Sequence, residues 1–249
     1  MGMNNNLKAM VLAAGVGTRL RPLTLNIPKV LLPIRGVPLI EHQLFWLKSH
    51  GITEIAINLY HLGYKIKNFL GDGSHFGLEI SYSEEDILLG TAGGLKRMEY
   101  FFDSTFVVIN GDTLTNFDLG AMLRLHRIKN SLATLAVLPV SNPSEVGIVE
   151  IDGSGRVWKF VEKPHNGYEA SNLMNGGVYI FEKEIFSYIP EDGFSDFAYN
   201  IFPKLLELDL PVYAYNLEPG DYHIDIGTGE NYCKANEDMK LGKVRVTHV

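Results

Sequence analysis

The stretch "VLAAGVGTRLRPLT", Val11–Thr24, sets two glycines, two alanines and two arginines within a dozen residues, and Lys29 follows in "IPKV". Small residues let the backbone approach an anion closely and present amides to phosphate oxygens. Arg19 adds a planar fork that matches phosphate geometry. Neither common phosphate motif fits. A dinucleotide fingerprint needs glycine where Leu20 stands, and no Gly-Lys-Ser/Thr of a P-loop follows. A glycine-rich loop alone is an ordinary turn, but Arg19, Arg21 and Lys29 together, in a chain of formal net charge -7, read as an anion site. Asp112 in "INGDT" and Asp225 in "HIDIGT" each stand where an apolar run ends. Either could simply cap a turn. Beside a cationic phosphate loop the two suggest a Mg2+-assisted phosphate reaction, because Mg2+ takes one or two carboxylates plus substrate phosphates. Between them, "KFVEKP" sets Glu162 next to Lys163 and "NGGVYIF" opens on Asn175. Neighbours on a strand point to opposite faces, so Glu162 and Lys163 need not share a task; by itself the pair reads as a surface ion pair.

These residues need elements to hold them at strand ends. "AMVLAA", Ala9–Ala14, is a short apolar run closed by glycine, the pattern of a buried parallel strand. A helix is predicted from Leu39, Ile40, Leu44 and Leu47 with Gly51 as its stop, then a strand "EIAINLY", a short helix "YKIKNFLG", a strand "LEISYS", a helix-like "TAGGLKRMEYFF", a strand "TFVVIN" and a helix "LGAMLRLHRIKN". Such alternation predicts βαβ units and a mostly parallel sheet, with ligands at the carboxyl ends of the strands. The second half is strand-rich: "SLATLAVLPV", a hairpin of "GIVEI" and "VWKFVE" about "DGSG", then "GGVYIF" and "PVYAYNL". Helices are predicted near Asp196–Leu208 and Gly229–Leu241.

The composition is that of a globular protein, 46% hydrophobic and 20% charged over 249 residues, which is enough chain for a large α/β core without staples. The acidic balance argues against nucleic acid and anionic membranes as partners. No apolar run is long enough to span a bilayer. Cys233 is the single cysteine, which suits a reducing cytoplasm, and its place in the last predicted helix suggests a small core residue. His61, His75 and His223 lack the paired spacing of a metal site and read as surface or structural. Trp46, Phe101 and Phe102 read as core.

The motifs "LAAGVGTRLRPLT…PKVLLPI", "LGTAGGL", "NGDT", "VEKP", "NGGVYIF" and "DIGT" fall in the order of the sugar nucleotidyltransferases, and the chain resembles that family from Leu12 to Thr228. The "LGTAGGL" segment is most similar to mannose-1-phosphate guanylyltransferases; "INLYHLGYKIKNFLGDGSHFGLEISYS" is also similar to a short uridylyltransferase acting on N-acetylmuramate 1-phosphate, and "LGTAG" occurs in thymidylyltransferases. The resemblance implies a three-layer α/β/α Rossmann-like (GT-A-like) fold with a mostly parallel mixed sheet. It also implies a reaction, in which a sugar 1-phosphate and a nucleoside triphosphate give a nucleotide sugar and pyrophosphate. GTP with mannose 1-phosphate is the leading pair; UTP or dTTP with another sugar phosphate, or a silent nucleotide-sugar-binding paralogue, are alternatives.

The same resemblance assigns nucleotide contacts to Leu12, Ala13, Ala14, Gly15, Gly17, Thr18, Arg19, Lys29, Glu84, Gly90, Thr91 and Asp112. It places sugar-phosphate contacts at Gly147, Glu162, Lys163 and Asn175, and Mg2+ ligands at Asp112 and Asp225. Arg19, Lys29, Asp112 and Lys163 carry the catalytic roles it implies. Two departures stand out. The family's Trp before the last motif is Tyr222, and its Pro after "DIGT" is Gly229. About twenty residues follow Thr228, so the expectation is one domain over residues 1–249, nucleotide bound by its first half and sugar phosphate by its second, without a C-terminal β-helix; a homo-oligomer is compatible with this reading.

Overall fold

The computed structural model describes residues 7–165, 168 and 170–244. In chain order the elements are β1 (Lys8–Leu12), β2 (Pro33–Ile34), β3 (Val37–Pro38), α1 (Leu39–Ser49), β4 (Glu54–Leu59), α2 (Gly63–Leu70), β5 (Glu79–Glu84), α3 (Gly90–Lys96), β6 (Phe106–Asn110) and β7 (Thr113–Thr115). There follow α4 (Leu119–Ile128), β8 (Ala133–Pro139), β9 (Gly147–Ile151), β10 (Val157–Glu162), β11 (Leu173–Phe181), α5 (Phe202–Glu207), β12 (Val212–Asn216), β13 (His223–Asp225) and α6 (Gly229–Lys240). The alternation expected of an α/β protein is met. The predicted helix over "TAGGLKRMEYFF" stops at Lys96 and resumes as one tight turn, Glu99–Phe101.

The chain divides into two compact units that do not coincide with its halves. The first takes residues 7–88, 109–117 and 220–244, and the second 89–108 and 118–219, among those described. In the first unit β1, β4 and β5 are parallel neighbours, in register from Ala9↔Ile55 to Leu12↔Asn58 and from Glu54↔Glu79 to Leu59↔Glu84. Ala9, Met10, Val11, Ile55, Ala56 and Ile57 are fully buried, which is why these strands read as continuous apolar runs. Because the register is parallel, Leu12, Asn58 and Ser83 stand level with one another at the carboxyl ends of the three strands.

Helix α1 buries Leu39, Ile40, Leu44 and Leu47, as its 3.6-residue spacing demands. It also buries Gln43, whose Nε2 donates to Asn110 O (2.9 Å) and Thr113 O (2.7 Å). Trp46 Nε1 donates to Phe117 O at 3.0 Å. So α1 clamps both sides of the turn that carries Asp112. The antiparallel pair β7–β13, in register Thr113↔Asp225 and Thr115↔His223, then brings the two aspartates of interest together. Behind it lies an apolar cluster of Leu20, Leu32, Leu39, Leu114, Ile224, Ile226 and Met239, against which Tyr222 and Tyr232 pack.

Tyr222 reaches from that cluster to Asp238, its hydroxyl donating to Oδ2 at 3.2 Å. Lys234 and Lys243 each bond the same buried carboxylate at 2.7 Å and hold it down to about 2, well under the ordinary carboxylate range. A phenol therefore replaces the family's indole by joining an ion-paired network on α6. Cys233 corrects an expectation. It is exposed, because α6 turns Ala235, Asp238 and Met239 inward instead.

The second unit joins strands in the order β10-β9-β11-β8-β12, antiparallel except for β8 with β12. The β9–β10 hairpin forms as predicted. Its turn is set by Asp152 Oδ1, which accepts from Ser154 N (2.8 Å), Ser154 Oγ (2.7 Å) and Arg156 N (3.0 Å). Phe181, Phe197 and Phe202 are among the largest fully buried side chains and stack near one another in this unit.

Candidate active site

In the first unit the glycine-rich loop leaves β1 and folds back on itself. Gly17 has φ +67, and a Cβ there would lie 2.9 Å from Thr24 Cγ2 and 3.3 Å from Lys29 Cβ, so glycine is required on both counts. Thr24 Oγ1 closes the loop by donating to Gly17 O at 2.7 Å. This puts Lys29 beside Gly15: its Nζ is 3.8 Å from where a Gly15 Cβ would stand. The same ammonium donates to Asp112 Oδ2 at 2.5 Å. Asp112 is fixed through its backbone, its carbonyl accepting from Ile226 N at 2.9 Å, while the preceding Gly111 N donates to Leu12 O at 2.9 Å.

Gly227 marks the point where the charges converge. A Cβ there would lie 2.7 Å from Asp225 Oδ1, 2.8 Å from Arg19 Nη2 and 3.5 Å from Asp112 Oδ2. Asp225 Oδ1 also accepts from Gly227 N at 2.5 Å. Burial pushes the Asp112 carboxyl up, but the Lys29 ammonium and its hydrogen bond outweigh that and hold it below the usual range. Burial and the neighbouring Asp112 push Asp225 the other way, to about 6. A carboxylate oxygen of each aspartate near one point, where a methyl group would collide, suits a hard divalent cation with phosphate oxygens completing its shell. Among the described residues no cluster of three or more His, Cys, Asp or Glu could hold a metal.

We expect Gly227→Ala to reduce turnover by about a hundredfold, since its methyl occupies the point shared by Arg19 and both carboxylates. Steady-state pyrophosphate release against wild type measures this, and turnover within twofold of wild type would show that the convergence point is not used.

The two adjacent carboxylates at the end of β5 stand in different surroundings. Glu84 is exposed and pairs with Lys67 at 2.7 Å on the surface. Its neighbour Glu85, which the sequence reading passed over, is 6% exposed and accepts from Asn58 Nδ2 at 2.8 Å. Asn58 Oδ1 in turn accepts from Ala13 N at 2.8 Å. A polar line of Ala13, Asn58 and Glu85 thus runs across the carboxyl ends of β1, β4 and β5, and it takes up the Ala13 amide. Leu12 O is likewise engaged by Gly111, Ala14 is buried, and Thr18 and Arg19 are exposed on a tight turn. His61 Nε2 lies 3.2 Å from Thr24 O, and His223 Nδ1 lies 3.1 Å from Thr115 Oγ1, both structural arrangements.

In the second unit Thr91 Oγ1 donates to Asp196 Oδ2 (2.9 Å) and accepts from Phe197 N (2.8 Å), and the Ser195 carbonyl accepts from Ala92 N and Gly93 N, both at 3.0 Å. The "LGT" segment is therefore held by the Ser195–Phe197 loop, with Asp196 also capping Ala198 N and Tyr199 N. Gly147 leaves room for Glu162: a Cβ there would lie 2.6 Å from Glu162 Oε2. Burial pushes the Glu162 carboxyl up; Lys163 opposes this and Asp196 adds to it. Lys163 itself sits at φ +46, a left-handed conformation uncommon outside glycine, asparagine and aspartate, and its N–H bonds Val146 O at 3.1 Å. Strain of this kind costs about 1–3 kcal/mol and gathers at functional positions. Asn175 Nδ2 donates to Tyr179 Oη at 2.8 Å and its Oδ1 accepts from Gly177 N at 3.2 Å, across the irregular stretch of β11.

The model of the nucleotidyl transferase family matches residues 8–241, and the chain belongs to that family. It is 41% identical over 244 residues to a UTP–glucose-1-phosphate uridylyltransferase of Synechocystis, and 34% identical over 240 residues to a mannose-1-phosphate guanylyltransferase of Mycobacterium tuberculosis. These matches take in 92% and 96% of this chain but 62% and 66% of the relatives, so the chain spans about two thirds or less of their length. Among solved structures, a putative glucose-1-phosphate thymidylyltransferase from Bacillus anthracis superposes with a TM-score of 0.84 at 27% identity, covering 98% of each chain. HddC from Yersinia pseudotuberculosis does so at 0.80 and 29%, covering 94% of this chain and 99% of its own, and its complex with GMP-PN at 0.78. The α/β fold with a mixed, mostly parallel sheet is the one expected from the sequence.

Proposed function

We propose that this chain is a sugar-1-phosphate nucleotidyltransferase. An oxygen of the sugar 1-phosphate bonds to the α-phosphorus of a nucleoside triphosphate; the bond from that phosphorus to the β-phosphate bridging oxygen breaks, and pyrophosphate leaves. The observation that carries this reading is the convergence of Lys29, Arg19, Asp112 and Asp225 beside the glycine-rich loop. A phosphate monoester is already nucleophilic at neutral pH, so no general base is needed. The task is to hold two polyanions in line and absorb charge. Lys29 and Arg19 bind triphosphate oxygens, and Lys163 with Glu162, Gly147 and Asn175 holds the sugar phosphate. Mg2+ on Asp112 and Asp225 would supply the remaining neutralisation of the phosphates. The presence of every one of these charged groups speaks against a silent paralogue.

Glu85 supports guanine as the base. A carboxylate only accepts, and guanine offers it two adjacent donors, N1–H and N2–H, whereas uracil offers one N–H flanked by carbonyls that a carboxylate repels. Mannose 1-phosphate or a related sugar is the matching acceptor, in line with the guanylyltransferase relatives. The uridylyltransferase relative at 41% identity supports UTP with glucose 1-phosphate as the second reading. Pyrophosphate release with GTP, UTP, dTTP, CTP and ATP, each against a panel of sugar 1-phosphates, tests both; no turnover with any pair would refute the enzyme assignment. Glu85→Gln should lower the GTP-to-UTP ratio of kcat/KM by about tenfold or more. An unchanged ratio would remove Glu85 from base selection.

A further inference from the structure

We infer that Lys29 is an interlock: its ammonium holds Asp112 in the nucleotide-free protein, so that a divalent cation binds only together with a polyphosphate. The inference rests on Asp112 and Asp225 being the metal ligands. Lys29 Nζ and Asp112 Oδ2 are 2.5 Å apart, with side chains only 16% and 15% exposed, so the pair is largely withdrawn from water and weakly screened. An ammonium at that distance fills the side of the carboxylate a metal would approach. Arg19 Nη2 stands at the same convergence point as Asp225 Oδ1. The four side chains therefore sum to zero formal charge. A bare divalent cation added to them meets an ammonium already paired with Asp112 and a guanidinium near Asp225. A triphosphate added alone brings four negative charges to two carboxylates.

Arriving together, the two solve each other's problem. Phosphate oxygens at the Gly15 loop offer Lys29 a new anion within reach, since Nζ already lies beside Gly15. Asp112 is released as its partner turns away. Metal and nucleotide then raise each other's affinity by the same factor, as linkage requires. The device is the swap of one ion pair for another.

The test is Mn2+ binding to the free protein, read by electron paramagnetic resonance without nucleotide. Wild type should bind weakly, and Lys29→Met and Lys29→Gln should each bind at least tenfold more tightly. Lys29→Arg, which keeps a cation on Asp112, should resemble wild type. Equal Mn2+ affinity in wild type and either folded neutral variant overturns the interlock. Adding Asp112→Asn or Asp225→Asn to Lys29→Met should abolish the gain. If Lys29→Met gains affinity and neither aspartate matters, the ligand assignment fails; if the aspartates matter but wild type binds as tightly as Lys29→Met, the interlock alone fails.

Discussion

Asn in place of Asp112 should lower turnover by about a thousandfold or more, the loss expected when a preorganised charge at a phosphoryl-transfer centre is removed. The substitution is close to isosteric, and the backbone contacts that fix this turn, Ile226 N to Asp112 O and Gly111 N to Leu12 O, do not involve the carboxylate. Gln43 holds the turn from both sides by main-chain oxygens. The fold should therefore persist, with native circular dichroism. Stability should fall by about 2 kcal/mol all the same, because Lys29 loses the partner that offsets its burial. Activity within tenfold of wild type, in a protein of native spectrum, would show that Asp112 is not part of the charge-bearing centre.

Asn in place of Asp225 should be equally damaging to turnover and opposite in its effect on stability. The Asp225 carboxyl is pushed up to about 6 by burial and by Asp112. A carboxyl raised in the folded state contributes stability that is fully present below the unfolded value, near 4, and is lost as pH rises through about 6. At pH 7 the ionised group is thus a liability in metal-free protein, and Asn removes it. The hydrogen bond from Gly227 N survives, since the amide oxygen accepts it equally well. In a chelator at pH 7.5, Asp225→Asn should melt roughly 5 °C above wild type, a gain of about 2 kcal/mol. At pH 4 the two should coincide. A lower melting temperature at pH 7.5 would reverse the electrostatic argument. The two aspartates, alike in sequence context, divide into one that steadies the fold and one that strains it.

That division was not legible in the sequence, though the residues were. Arg19, Lys29, Asp112 and Asp225 could be read because phosphate chemistry restricts residue type, and strand ends restrict place. Glu84 and Glu85 could not be separated. β5 ends at Glu84, and which of two adjacent carboxylates turns inward depends on a strand's last residue, where boundaries are least certain. Gln43 was hidden among Ile40, Leu44 and Leu47 on one helical face. The signal was there, a lone amide on an apolar stripe, but its partners are backbone carbonyls at Asn110 and Thr113 that no local pattern reveals. The β2–β3 hairpin was passed over because its strands are two residues each; Arg35 and Gly36, both at positive φ, make the turn that a hairpin of this size needs. The hydroxyl of Thr91 bonds Asp196 and Phe197, partners about a hundred residues away that the "LGT" motif does not announce.

The late position of β13 has a bearing on how the protein comes to be made. β7 and its partner strand are separated by 108 residues of chain at Thr115 and His223. During synthesis the glycine-rich loop, Lys29 and Asp112 emerge early, and their counterpart Asp225 emerges only after the whole second unit has been translated. A nascent chain can assemble a phosphate loop long before it has the second carboxylate. Prematurely ended products lacking residues beyond 219 are therefore born without Asp225 and without the β7–β13 pairing that seats it near Asp112. Contacts of such range also slow folding, and β13 arrives long after the strand it pairs with.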